Sequence, residues 1–347
     1  MKRWISFLLA FSFLCLAGCG APTVGDVGTS GQIFAMDTVM NLTLFGERAE
    51  GALESARTEI TRLEQLLSRT REDSQISMLN AHAGDGVEIS VESDLAGLLA
   101  FAKSVHQALP GCFDITIAPV MDAWGFTKDA YRVPGEEELA ELLELVNSED
   151  LLVDEQASTA RLARSGMELD LGALAKGFAA GRVQAAIQAE GITCAMLDLG
   201  GNITALGSKE DGSPWRVAVK NPQDTGTYVG VLSLTDATAS TSGGYERYFE
   251  EDGVRYHHII DPKTGAPAQS GLLSVSVISP DPLLADALST ALFVAGEEEA
   301  LDYWRQSEDF ELVLCTQDNR VVVTQGLEES FRFDGEELGY TYEIARR

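Results

Sequence analysis

Basic side chains are scarce: 25 Lys and Arg stand against 54 Asp and Glu, a formal charge of −29 at pH 7. Such a surface repels polyanions, so nucleic acid is not an expected partner, and neither is an anionic lipid surface held by charge. An anionic small ligand would need a local cation, a lysine or backbone amides. Cysteine is sparse as well. Of five, two fall within the first 19 residues, leaving Cys112, Cys194 and Cys315. That odd number without CxxC spacing argues against a disulfide framework or a zinc site and leaves buried, apolar thiols. There is no GxxxxGK[ST] loop and no GxGxxG turn, no internal repeat and no heptad run. Beyond the N-terminus no apolar run approaches the ~20 residues of a membrane-spanning helix. Hydrophobic residues still make up 45% of the chain, which suits a globular body and not a disordered one.

The N-terminus reads as an export signal. Lys2 and Arg3 precede an apolar stretch from Ile5 to Leu16, too short to span a bilayer and closed by small residues. The ending Leu16-Ala17-Gly18-Cys19 resembles a bacterial lipobox, whose cysteine is acylated. Residues 1–18 are therefore expected to be a lipoprotein signal peptide and 19–31 a flexible tether beginning at lipidated Cys19. Residues 32–347 form the folded body. The expected location is outside the cytoplasm, held to the cell membrane by lipid.

Along the body, residues 32–45 read as a strand. Leu53, Ala56, Ile60, Leu63 and Leu67 keep helical spacing over 47–69, and a second helix is expected over 91–109, stopping at Pro110-Gly111. The acidic run 136–145 reads as a surface helix. Short strands follow at 151–154 and 160–164, a helix over 174–189, and many short strands from 194 to 277. Helices over 282–294 and 297–306 precede terminal strands. Mixed order without regular βαβ alternation predicts an α+β fold.

Several segments could carry chemistry. On a helix, Asp286 and Thr290 sit at i and i+4 and present two oxygens on one side, a half-site for Mg²⁺ or an ordinary polar arrangement. In DLGALAKG (170–177), Lys176 lies near a helix start, where a cation opposes the dipole. It could face a phosphate or snorkel along the surface. Gly200-Gly201 could admit a ligand close to backbone or simply turn the chain. Ser240, Thr241 and Ser242 in STSGGYER offer hydroxyls to a phosphate or a flavin edge, or form a loop. His257 and His258 alternate on a strand, so only one can face a given site. Asp114, in the apolar GCFDITIAP, must be paired, either with a ligand or as a cap.

Taken in order, the segments MDTVM, DSQISMLN, FDITIAP, DLGALAKGFA, LDLGGN, STSGGYER, HHIIDPKTG and ADALSTALF resemble the ApbE family, the FAD:protein FMN transferases. The resemblance implies a two-lobed α+β body with FAD between the lobes and Mg²⁺ at its pyrophosphate. It implies Asp286, Thr290 and the Ala173 carbonyl as metal ligands, and Met36, Asp114, Asp170 and Lys176 at FAD-contacting positions. His258 matches the histidine implicated in transfer. Asp37 stands where many members have Gly, and Thr70 replaces an aromatic residue that covers the flavin in some members. The implied activity is Mg²⁺-dependent transfer of FMN from FAD to a Ser or Thr hydroxyl of an exported acceptor, with subunits of membrane redox complexes as the expected acceptors. FAD hydrolysis to FMN and AMP, and a non-catalytic flavin-binding lipoprotein, are the alternatives.

Overall fold

The first departure from expectation comes at the start of the body. The segment 32–45 is a hairpin of β1 (Thr29–Ala35) and β2 (Thr38–Phe45), with Ala35 opposite Thr38. Met36 and Asp37 form the two-residue turn with φ of 50° and 56°, the paired left-handed conformation of a type I′ hairpin. The sign of the turn is a parity switch: Ile33 and Ala35 are buried before it, Met40, Leu42 and Leu44 after it. Asp tolerates such a φ better than most residues, so the Asp that replaces Gly at position 37 keeps the turn. The computed structural model describes residues 28–127 and 130–347. The signal peptide, Cys19 and most of the tether lie outside them.

After the hairpin come α1 (Ala49–Leu67), α2 (Gln75–Ala81), β3 (Ile89–Ser90), α3 (Ser93–Ala108), α4 (Ala118–Trp124), α5 (Glu136–Leu143), β4 (Leu151–Asp154) and β5 (Thr159–Leu162). The middle of the chain holds α6 (Ala175–Ala189), β6 (Cys194–Leu199), β7 (Asn202–Leu206), β8 (Trp215–Asn221), β9 (Asp224–Leu234), β10 (Ala237–Gly243), β11 (Tyr248–Glu251) and β12 (Val254–His257). Then follow β13 (Leu272–Ser279), α7 (Pro282–Ala295), α8 (Glu297–Arg305), β14 (Glu311–Thr316), β15 (Arg320–Thr324), β16 (Phe331–Phe333) and β17 (Thr341–Ala345). The six expected helices match their spans within a few residues, because their periodicity is strong, while the seven-residue α2 and α4, too short to show a period, were not expected. As expected of a solvated face, α5 buries no residue fully. Among the described residues no helix is long and apolar enough to cross a membrane.

Nine strands form one sheet in the order β1-β2-β6-β7-β10-β13-β14-β15-β17, with only β15 and β17 parallel. Alternation gives it two buried faces. Met40, Leu42, Leu197, Leu199, Val275, Val277 and Leu312 meet helices α1, α6 and α7 in the main core. Ala239, Ile278, Val313, Cys315, Val321 and Val323 meet the small sheet β16-β9-β8 on the other side. The main core continues without a break into α3 and the β3-β5-β4 sheet through Leu95, Leu99, Leu151 and Leu162. A third cluster, around Trp124, Phe126 and Ile260, seats the β11-β12 hairpin. The class is α+β, as expected, and Cys112 and Cys315 are buried free thiols with Cys194 half-buried.

Candidate active site

Three structural ends converge at one edge of the large sheet: the β1-β2 turn, the β6-β7 turn and the end of β10. Gly200 and Gly201 form the second turn with φ of 66° and 96°, so the paired glycines do turn the chain. At Gly200 a Cβ would come within 2.4 Å of the Thr38 hydroxyl, so glycine is also what lets the two hairpins nest. Met36 sits half-buried on its strained φ, held by a 2.9 Å bond from its amide to Glu64 Oε1 of α1. A non-glycine residue costs roughly 1–2 kcal/mol in this region, and such strain persists only where neighbours enforce it.

Helix α7 starts cleanly, because Asp281 caps the amides of Leu283 and Leu284 and Pro282 occupies the first turn. Its inner side carries Asp286, only 3% exposed. Helix α6 approaches so closely that a Cβ on Gly177 would lie 2.3 Å from the Pro282 carbonyl oxygen and 2.5 Å from Asp286 Cβ. The N-cap of α6, Leu174, has no capping side chain. The cap comes instead from α7: Gly177 N donates to Asp286 Oδ2 at 2.7 Å. Gly177 is the third residue of α6, so its amide is one of those that a helix start leaves without an intrahelical partner. Ala173 precedes the N-cap, and no backbone donor reaches its carbonyl among the described residues. A carboxylate at a helix N-terminus is also electrostatically favoured.

Strand β10 supplies the opposite wall. Its alternation sends Ser240 and Ser242 towards α7. Ser242 Oγ lies 3.1 Å from Thr290 Oγ1 and 2.8 Å from Ser289 Oγ, and Ser240 Oγ lies 3.3 Å from Asp286 Oδ1 and 2.7 Å from Asn202 Oδ1. Thr241 is not brought into this group. It points to the other face of the sheet, with its hydroxyl 2.7 Å from Ser276 Oγ. Parity on the strand decides this.

The loop before α6 is held by a cation that the motif reading passed over. Arg69, with a side chain 11% exposed, bonds Asp122 at 2.9 Å, Glu168 at 3.0 Å and Asp170 at 3.3 Å, with Thr127 at 3.0 Å. Burial pulls its guanidinium down, but Asp170, Asp122 and Glu168 outweigh that and hold it above its ordinary value. Asp170 also accepts from Gly172 N at 2.8 Å, so its carboxylate shapes the loop that leads to Ala173 and Lys176. Thr70 is exposed just past α1, with its hydroxyl 3.1 Å from Ser68 Oγ. Asp114 is committed inward. Thr116 N and Oγ1, Ser148 N and Oγ, and His106 Nδ1 lie 2.6–3.3 Å from its carboxylate oxygens. Asp114 is thus paired within the fold, as a buried acid must be.

The histidine pair is resolved by the hairpin. His257 packs edge-on against Phe293 and uses both ring nitrogens, Nε2 at 3.1 Å from Ala268 O and Nδ1 accepting from Ile259 N. Half-buried His258 places Nδ1 3.1 Å from the Arg247 carbonyl, which makes that nitrogen the proton carrier and leaves Nε2 a lone pair. Burial, then the Arg247 charge, with a smaller push from Lys176, lowers its pKa below the ordinary histidine value. Lys176 lies on the first turn of α6. Glu246, also passed over in the sequence, has Oε1 3.7 Å from where a Gly201 Cβ would stand. Burial raises its carboxyl, against the pull of Lys176 and Lys220, and Asp286 adds to the rise.

The oxygens available at the α6–α7 junction are hard donors: the Asp286 carboxylate, the Thr290 hydroxyl and the Ala173 carbonyl, which lies just before the N-cap of α6. That chemistry fits Mg²⁺, which is bound through few protein oxygens and keeps several waters. Among the described residues no group of three or more His, Cys, Asp or Glu could hold a metal, so a carboxylate-rich or thiolate site is not the type present.

Comparison with known proteins bears on the family and the fold. A sequence model described as the ApbE family matches residues 36–314. The chain is 37% identical to the FAD:protein FMN transferase of Treponema pallidum, with 81% of each chain covered. It is 34% identical to the enzyme of that name from Klebsiella pneumoniae, over 81% of this chain and 86% of the relative. Its fold superposes on the ApbE protein of Thermotoga maritima with a TM-score of 0.81 at 29% identity, covering 87% of this chain and 98% of the other. The apo flavinyl transferase ApbE of Pseudomonas stutzeri gives 0.77 at 27%, covering 88% and 97%.

Proposed function

Since the chain belongs to the ApbE family, we propose that it is an FAD:protein FMN transferase that depends on Mg²⁺ and modifies a Ser or Thr hydroxyl. The observation that carries the reading is the Gly177–Asp286 bond, which seats the Asp286 carboxylate at the head of α6, where the Ala173 carbonyl accepts no backbone donor among the described residues. Asp286, Thr290 and Ala173 would hold the metal. When bound, Mg²⁺ supplies charge neutralisation at the FAD pyrophosphate, the main requirement of phosphoryl transfer.

The chain's own groups supply the rest. Lys176, on the first turn of α6, offsets phosphate charge that the strongly acidic surface would otherwise repel. The acceptor oxygen attacks the FMN-side phosphorus, the bond from that phosphorus to the bridging oxygen breaks, and AMP departs with the electron pair. The hydroxyl proton passes to Nε2 of His258, which its Nδ1–H bond to Arg247 O leaves free to accept it. Met36 and the 170–174 loop are assigned to flavin and nucleotide contact. The acceptors are exported proteins, with subunits of membrane redox complexes as the leading class. The transferase works outside the cytoplasm, anchored through Cys19, a reading that rests on the N-terminal sequence and the resemblance.

The test is to incubate the purified protein with FAD, Mg²⁺ and an acceptor carrying its attachment threonine, then to weigh the intact acceptor by mass spectrometry. A magnesium-dependent gain of one FMN is expected. FAD split to FMN and AMP with no gain on the acceptor would convert the reading to a hydrolase. Neither change would leave a flavin binder.

A further inference from the structure

The most informative unassigned groups lie behind Asp286. Ser240 is fully buried and Asn202 is 1% exposed. They sit on neighbouring strands of the large sheet, both turned towards α7. Ser240 Oγ has three polar neighbours, Asn202 Oδ1 at 2.7 Å, Asp286 Oδ1 at 3.3 Å and Ser289 Oγ at 3.4 Å, yet only one proton to give. Ser289 spends its own on the Asp286 main-chain carbonyl at 2.8 Å. As oriented, Asn202 Nδ2 is buried without a partner among the described residues.

A buried NH₂ with both hydrogens unpaired is costly, and the oxygen and nitrogen of an asparagine head are exchanged by a half-turn. After that half-turn Nδ2 donates to Ser240 Oγ, which releases the Ser240 proton to Asp286 Oδ1. Asp286 then accepts a bond on each oxygen, from Gly177 N and from Ser240, and its carboxylate plane is fixed. We propose that Asn202 and Ser240 are positioning residues, a two-bond relay that holds the Asp286 carboxylate in the orientation needed to ligate the cation. Neither side chain needs to touch FAD or the acceptor. Groups that orient a metal ligand from behind contribute substantially to affinity. This inference rests on the metal reading above.

The experiment is a Mn²⁺ titration followed by electron paramagnetic resonance, with FAD present and acceptor absent, alongside thermal unfolding of each variant. Mn²⁺ stands in for Mg²⁺. Ser240→Ala is expected to weaken Mn²⁺ binding by about 10–100-fold. Asn202→Asp keeps the shape but only accepts, draws the Ser240 proton away from Asp286, and should weaken binding to a similar degree. Ser240→Thr, which restores the hydroxyl, should bind within about threefold of wild type, a rescue that loss of packing alone would not produce. Wild-type Mn²⁺ affinity in folded Ser240→Ala overturns the relay. Wild-type affinity in Asn202→Asp does so too, and decides the matter if Ser240→Ala does not fold. Should the wild type bind no Mn²⁺, or Asp286→Ala bind it undiminished, the metal reading itself falls, which is a separate outcome.

Discussion

Gly177 and Asp286 stand 109 residues apart in the chain and meet through a 2.7 Å bond from the Gly177 amide to Oδ2. That single contact performs two tasks. It caps α6, by satisfying an amide that the helix start leaves without an intrahelical partner, and it orients a buried carboxylate.

Gly177→Ala tests how tightly the junction must close. The new methyl would meet the Pro282 carbonyl and Asp286 Cβ at 2.3 Å and 2.5 Å, and both are held in α7. Helix propensity favours alanine by ~1 kcal/mol, while overpacking typically costs about 1–3 kcal/mol. A net drop in thermal stability is expected, with a larger fall in transfer than in folded fraction. Unchanged Tm and full activity would show that α6 and α7 can separate without consequence.

His258 has a sign that can be checked by pH. Its lowered pKa means that the neutral ring persists below pH 6.5, because burial and Arg247 both disfavour the cation. The transfer rate should therefore show no inactivating protonation near the ordinary histidine value, and should fall only at distinctly lower pH. His258→Gln should retain FAD binding and lose transfer by about 10²–10⁴-fold, the usual worth of a general base. An acid limb centred near 6.5 that vanishes in His258→Gln would contradict the neutral assignment.

Arg69 should matter through the carboxylates that it gathers around the loop before α6. Arg69→Ala leaves Asp122, Glu168 and Asp170 without their shared cation. Breaking a buried pair costs ~3–5 kcal/mol, and the lower end is expected because Glu168 is 43% exposed. Arg69→Lys keeps the charge but not the planar fork. It should fold, with a raised KM for FAD as the 170–174 loop loses its hold. Equal KM in Arg69→Lys and wild type would confine Arg69 to stability.

Much of the architecture could be read from periodicity. The long helices carry apolar residues at three- and four-residue spacing, so α1, α3, α6 and α7 stand where they were expected. The first hairpin was misread as one strand, although the switch of buried positions from odd to even at Met36 and Asp37 marks the turn. Spacing placed Asp286 and Thr290 on one side of a helix. It left both readings of Asp114 open, because the groups that satisfy it, Ser148 and His106, come from segments with no local relation to it. Arg69 went unnoticed for the same reason, since its value lies in three carboxylates drawn from distant segments.

The sequence by itself determined the longer helices, the acidic character of the surface, the family and the inventory of hydroxyl, carboxylate and lysine groups. Those are properties of local spacing and composition. Only the tertiary structure decided which face of β10 looks at α7, and hence that Ser240 and Ser242 join Asp286 and Thr290 while Thr241 does not. It also decided that His258, not His257, keeps a ring nitrogen without a partner among the described residues, and that a carboxylate on α7 caps the start of α6. The physical reason is that strand parity and helix period place a side chain on a face, whereas the packing partner gives that face its chemistry.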